Sequence, residues 1–270
     1  MLRLVLDPLF TTPLLTGLCC ALLLSVLGCW LRVREEWLAA LGLAHVAAAG
    51  ALLGLAAQLP APLASASGAL LAALGKAVAG LRGNSGYGLM ILAGWSLTLL
   101  LAANTALGEE LAHALIDGQL YFVADWQLRA MAATTLLSLA LLPWLNRRLL
   151  RAQLLPEGDR ANARPAWRWH GAFDLLSAAA LALATGSVGL MAAFALVFIP
   201  AWLAFVLAPG WRAALLLSPA LGVGAYLLAF VLALGADQPF GPTLVACLLV
   251  LSTAVLGLRE LLYRVTRSRR

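Results

Sequence analysis

Nine apolar runs, most of them near twenty residues long, follow one another along this chain with only short polar breaks between them. They cover about 14–31, 37–59, 63–81, 89–107, 128–145, 172–185, 188–207, 213–234 and 243–262. A helix needs about 20 apolar residues to cross the hydrocarbon of a bilayer. In lipid the backbone must satisfy its own hydrogen bonds, which restricts spanning structures to helices and closed barrels. The pattern predicts an all-α, polytopic membrane helix bundle, a single domain over residues 1–270 with eight to nine transmembrane helices. Composition agrees, with 63% hydrophobic and 11% charged residues, where a soluble domain carries roughly a quarter charged.

The net charge of +6 points to lipid and not to nucleic acid, because the basic residues gather at the ends of the runs. Positive residues are retained on the cytoplasmic side, so Arg32, Arg34, Arg82, the arginines of 147–168, Arg212 and the tail mark that face. Alternation then requires 172–185 and 188–207 to cross separately, giving an N-out, C-in chain. Lys76, near the inner end of its run, is expected to snorkel. Residues 2–10, LRLVLDPLF, are too short to span and suit an interfacial helix. No cleavable signal peptide is evident in the start MLRLVLDPLFTTP. The four cysteines fall in apolar runs without metal-type spacing and read as packing residues.

One long polar stretch interrupts the pattern, NRRLLRAQLLPEGDRANARPAWRWH at 146–170. Within it Pro156 can open a short helix, Glu157 and Asp159 suit its first turn, and Pro165 stops it. A second mixed segment, EELAHALIDGQLYFVADW at 109–126, holds four acidic residues and no Lys or Arg, and is expected outside. Small residues recur within the runs, as in AHVAAAGALLG, and let helices approach closely where water cannot drive association.

Several motifs stand in a recognisable order. LDPLFTTPLLTGLCCALLLSVLGCWLRVRE opens the chain, and GLAHVAAAGALLGL (Gly42–Leu55) lies in the second run. LLPEGDRANARP follows inside, then GSVGLMAAFALVFIPAWLA and QPFGPTLVACLLVL. Together they resemble the permease subunits of ABC transporters for zinc, manganese and iron(II). The resemblance implies one half of an importer in the cell (inner) membrane, a homodimer in the lipid bilayer. It also implies a pair of cytoplasmic ABC ATPases and an extracytoplasmic metal-binding protein as partners. The chain carries no GxxxxGK[ST] phosphate loop, so ATP hydrolysis is assigned to a partner, and no bound cofactor is expected.

The resemblance places His45 on the metal path, and neutral imidazole suits zinc as well as manganese or iron. An ionisable group in mid-span is costly and usually functional. The family commonly has Asp one turn before this His, where this chain has Leu41. Zinc is favoured because only the His remains, and two copies could bring two His45 side chains together. Glu109, Glu110, His113 and Asp117 could gather cations or dock the binding protein. Glu109/His113 and His113/Asp117 are i, i+4 pairs that share a helix face, although solvated helix carboxylates are ordinary. The resemblance makes 147–170 the cytoplasmic coupling segment, with Pro156, Glu157, Asp159, Arg160 and Arg164 facing the ATPase. Pro200 interrupts its span, as a point of flexure or a fixed kink. The competing readings are a secondary transporter, which would need an internal repeat, and a membrane enzyme, which would need paired catalytic residues such as HExxH. Neither signal is present in the sequence.

Overall fold

The computed structural model describes residues 8–79, 83–105, 108–155, 157, 162 and 166–268. Ten α-helices occupy them: α1 Pro8–Val33, α2 Ala39–Ala56, α3 Ala61–Val78, α4 Asn84–Asn104, α5 Gly108–Asp117, α6 Asp125–Leu154, α7 Ala166–Thr185, α8 Leu190–Leu207, α9 Trp211–Ala236 and α10 Phe240–Ser268. A single 3-10 turn, Leu120–Phe122, joins α5 to α6. Eight of the helices, all but α5 and α7, are long and apolar enough to cross a membrane.

The ninth crossing is made by α7. It has 20 residues, about 30 Å of helix at 1.5 Å per residue. Its first turns lie beside the inner end of α6, and the turn after it meets the outer loop, where Gln119 N–H donates to the Ser187 carbonyl oxygen at 3.0 Å. Gln127 on α6 also donates to Gly186 O, at 3.2 Å. Arg168 and Asp174 lower the hydropathy of this helix, which is why the sequence reading confines its span to 172–185 although the helix begins at Ala166. Residues 2–7 of the expected interfacial helix lie outside the described residues, and Pro8–Phe10 form the first turn of α1.

Burial separates two classes of helix. In α2, 72% of the apolar window is buried and in α1 67%, against 22% in α3, α4 and α10. The first pair with α8 forms the interior, and the others present their outer faces to lipid or to a partner. Close approach in the interior depends on small residues. A Cβ on Gly28 of α1 would collide with the Val197 carbonyl of α8, and one on Gly50 of α2 would meet the Ala64 carbonyl of α3 at 2.6 Å.

The outer end is tied by a backbone knot. Gly118 (φ 84°) and Gly189 (φ 90°) take conformations that L side chains rarely adopt. Each packs against the other's segment, and Gly241 at the start of α10 abuts the Asp117 carbonyl. The GPT motif at 241–243 thus serves packing at this junction. Phe240, Tyr121, Tyr226 and Phe230 surround it with ring centroids 5.5–6.4 Å apart.

Candidate translocation and coupling sites

His45 lies mid-way along α2 and is 6% exposed. Its Nδ1 sits 2.8 Å from the Leu41 carbonyl oxygen of the preceding turn. With Nδ1–H donating to that carbonyl, Nε2 keeps the lone pair, the tautomer a metal ligand requires. The ring packs on Trp95 of α4 at 5.6 Å between centroids. Gly94 makes this possible, since a Cβ there would lie 2.7 Å from the His45 carbonyl carbon. No group of three or more His, Cys, Asp or Glu side chains is gathered near a common point among the described residues.

Pro200 falls inside α8 and is buried. Proline has no N–H for the carbonyl four residues before it, here that of Leu196. The Ser25 hydroxyl of α1 donates to this carbonyl oxygen at 3.3 Å. Ser25 O in turn accepts from the Ser218 hydroxyl of α9 at 2.8 Å. Side chains on neighbouring helices thus occupy the break in the ladder, which makes it a braced kink.

A group that the sequence reading treats only piecewise stands at the inner end. Arg34 and Glu36 in the elbow between α1 and α2, Lys76 near the end of α3, and Asp174 in α7 form a closed ring of charges. Arg34 Nη2 lies 2.7 Å from Glu36 Oε2 and 2.7 Å from Asp174 Oδ1. Lys76 Nζ lies 2.8 Å from Glu36 Oε1 and 3.2 Å from Asp174 Oδ2. It also donates to the Tyr87 hydroxyl of α4 at 2.8 Å, which donates to Glu36 Oε2 at 3.4 Å.

The four charged residues are 3–8% exposed, so Lys76 does not snorkel and Arg34 does not face lipid. Both are drawn inward by the two carboxylates. Burial alone would push the Arg34 guanidinium down, but Asp174 and then Glu36 outweigh it and hold it above its ordinary value. The usable sequence signal was a pair of opposite charges, Lys76 and Asp174, set in apolar helices, since such residues seek one another.

The cytoplasmic stretch is rooted in a second contact. Arg148 of α6 is sandwiched between Trp144, 3.8 Å from its ring centre, and Trp169 of α7, at 4.2 Å. The two indoles meet edge to face at 5.2 Å. Of the proposed coupling residues, Glu157 is exposed, while Pro156, Asp159, Arg160 and Arg164 lie outside the described residues. At the opposite end, Glu109, Glu110, His113 and Asp117 stand on α5, whose Ala112 and Leu115 face inward. Glu109, Glu110 and His113 are exposed there, and Asp117 is too. The acidic face is therefore solvated and assembles no ligand cage.

The ABC 3 transport family matches residues 7–258, nearly the whole chain. The chain belongs to the ABC-3 transport family. Its fold is similar to that of PsaBC from Streptococcus pneumoniae in complex with Fab. The TM-score is 0.78 at 20% identity, over 93% of each chain. A structure described as an inward-facing conformation of a metal-chelate type ABC transporter matches with a TM-score of 0.69 at 18% identity, over 90% of this chain and 84% of the other. No curated protein matches this ABC-3 chain. The family and the eight apolar helices make it a multi-pass membrane permease subunit.

Proposed function

We propose that this ABC-3 permease carries a divalent metal ion, zinc in preference to manganese or iron(II), as one of two identical subunits driven by cytoplasmic ATPases. The observation that carries this reading is His45, a buried imidazole whose Nδ1 is engaged by Leu41 O and whose Nε2 is thereby a donor for a soft to borderline cation. The names of the two similar structures, one a metal-chelate type transporter, support the substrate class. Trp95, which covers His45, shares an exposed face of α4 with Leu92 and Leu99. A second copy laid on that face would put the path between subunits. The exposed carboxylates of α5 would receive an extracytoplasmic binding protein, and 147–170 would receive the ATPase.

The test reconstitutes the permease with its ATPase and binding protein in proteoliposomes and follows uptake of zinc and of manganese. Zinc uptake that falls at least about tenfold in His45→Ala supports the assignment, as loss of a transition-metal ligand should. Uptake equal to the parent removes His45 from the path, and uptake of manganese alone replaces zinc as substrate.

A further inference from the structure

The ring of charges at the inner end joins four segments that are far apart in sequence, and each has a defined mechanical neighbour. Asp174 sits in α7 five residues after Trp169, which the Arg148 sandwich fixes to α6. The coupling segment therefore enters α7 immediately ahead of Asp174. Arg34 and Glu36 belong to the elbow before α2, and this elbow is stiff. Glu36 N–H donates to Leu31 O at 2.9 Å, and Ala39 N–H to Glu36 O at 3.2 Å. Asn84 at the start of α4 accepts from Leu38 N–H at 3.0 Å and donates to Glu35 O at 2.9 Å. Six residues into α2, about 9 Å of helix, lies His45.

Two cations and two anions buried together are held by each other, because an isolated charge in a low-dielectric interior is far costlier than a paired one. Separating Asp174 from Arg34 and Lys76 would leave unpaired charge on both sides. The inner ends of α1, α2, α3 and α7 must then shift as one body. We infer that the Arg34–Glu36–Lys76–Asp174 ring is the joint through which movement of the coupling segment reaches α2 and the path beside His45. Its members are positioning residues: they touch neither ATP nor the transported ion. Tyr87 extends the joint to α4, the helix that packs Trp95 on His45. The inference rests on the ATPase-docking reading of 147–170.

The experiment measures zinc uptake and ATP hydrolysis on the same proteoliposomes containing the full permease–ATPase–binding protein assembly. Lys76→Met/Asp174→Asn removes one cation and one anion, leaving the Arg34–Glu36 pair balanced. The expected result is an assembly that still hydrolyses ATP while zinc moved per ATP falls by about tenfold, within the range of ordinary coupling free energies. Tyr87→Phe, which removes one hydroxyl and little volume, should lower the same ratio by about threefold, the scale of one hydrogen bond. Glu260→Gln/Arg264→Gln, an exposed pair on α10, should leave the ratio unchanged.

A purely structural role would lower yield, and with it uptake and hydrolysis in proportion. An unchanged ratio in the double variant therefore overturns the joint. If the double variant does not assemble, an unchanged ratio in Tyr87→Phe overturns it. A parent permease that captures no ATPase overturns the docking reading, and the joint with it.

Discussion

The Ser25 hydroxyl of α1 donates to the Leu196 carbonyl oxygen of α8 at 3.3 Å, the acceptor that Pro200 leaves without a helical N–H. Two residues 175 positions apart (200 − 25, both numbered in the same chain) thus complete one turn of helix. A proline in a span is tolerated where a neighbouring hydroxyl re-satisfies the freed carbonyl. The kink is therefore part of the α1–α8 packing.

Ser25→Ala should destabilise the protein by about 1–3 kcal/mol, the cost of leaving a buried acceptor unpaired. In Pro200→Ala the helix recovers its own N–H for Leu196. Adding Pro200→Ala to Ser25→Ala should then recover part of that loss. Thermal unfolding in detergent of the parent, both single variants and the double variant tests this. Strictly additive shifts would show that Ser25 does not serve the proline break.

The charge ring makes a different prediction about stability. Asp174→Asn leaves Arg34 and Lys76 facing Glu36 alone with surplus buried positive charge. It should cost about 3–5 kcal/mol, as breaking a buried ion pair does. Lys76→Met on top of it restores neutrality and should recover most of the loss. Denaturation midpoints of the two variants check the order, and a double variant less stable than Asp174→Asn would contradict it.

These contacts mark where sequence reading stops. The spans were legible because lipid demands long apolar runs whatever their partners. His45 was legible because an imidazole stands out in such a run. Lys76 and Asp174 each had an adequate local account, one as a residue near a span end and the other as a polar residue diluting a short run. Their pairing depends on how α3 packs against α7, which no local window contains. Ser25 and Pro200 were separated in the same way. The start of α7 was missed because Arg168 and Asp174 lower its hydropathy, although one is near its inner end and the other is neutralised within the bundle.

The Trp144–Arg148–Trp169 sandwich should distinguish Arg from Lys. A planar guanidinium stacks on two indoles at once, whereas an ammonium is a compact, strongly hydrated charge. Arg148→Lys should therefore weaken the α6–α7 contact by about 0.5–1 kcal/mol, the scale of a cation–π contact near a surface. Arg148→Ala should lose more, because the indoles then face an empty slot. Retention of the ATPase during co-purification reads the effect, and equal retention in both variants and the parent would separate the sandwich from docking.

Leu41 offers a gain-of-function test of the path. It precedes His45 by one turn, and its carbonyl already fixes the imidazole tautomer. A carboxylate at this position would share the His45 face of α2 and bring the anionic oxygen ligand that the present chain lacks there. Leu41→Asp should tighten zinc binding to the purified permease by roughly tenfold to a hundredfold, the range over which a carboxylate beside a metal-bound imidazole changes affinity. The same substitution in His45→Ala should give no such gain, because a lone aspartate has no imidazole to work with. Competition with a zinc-sensitive dye measures both. An equal gain in the two backgrounds would mean that the introduced carboxylate acts on zinc away from His45, and no gain in either would place the ion elsewhere in the bundle.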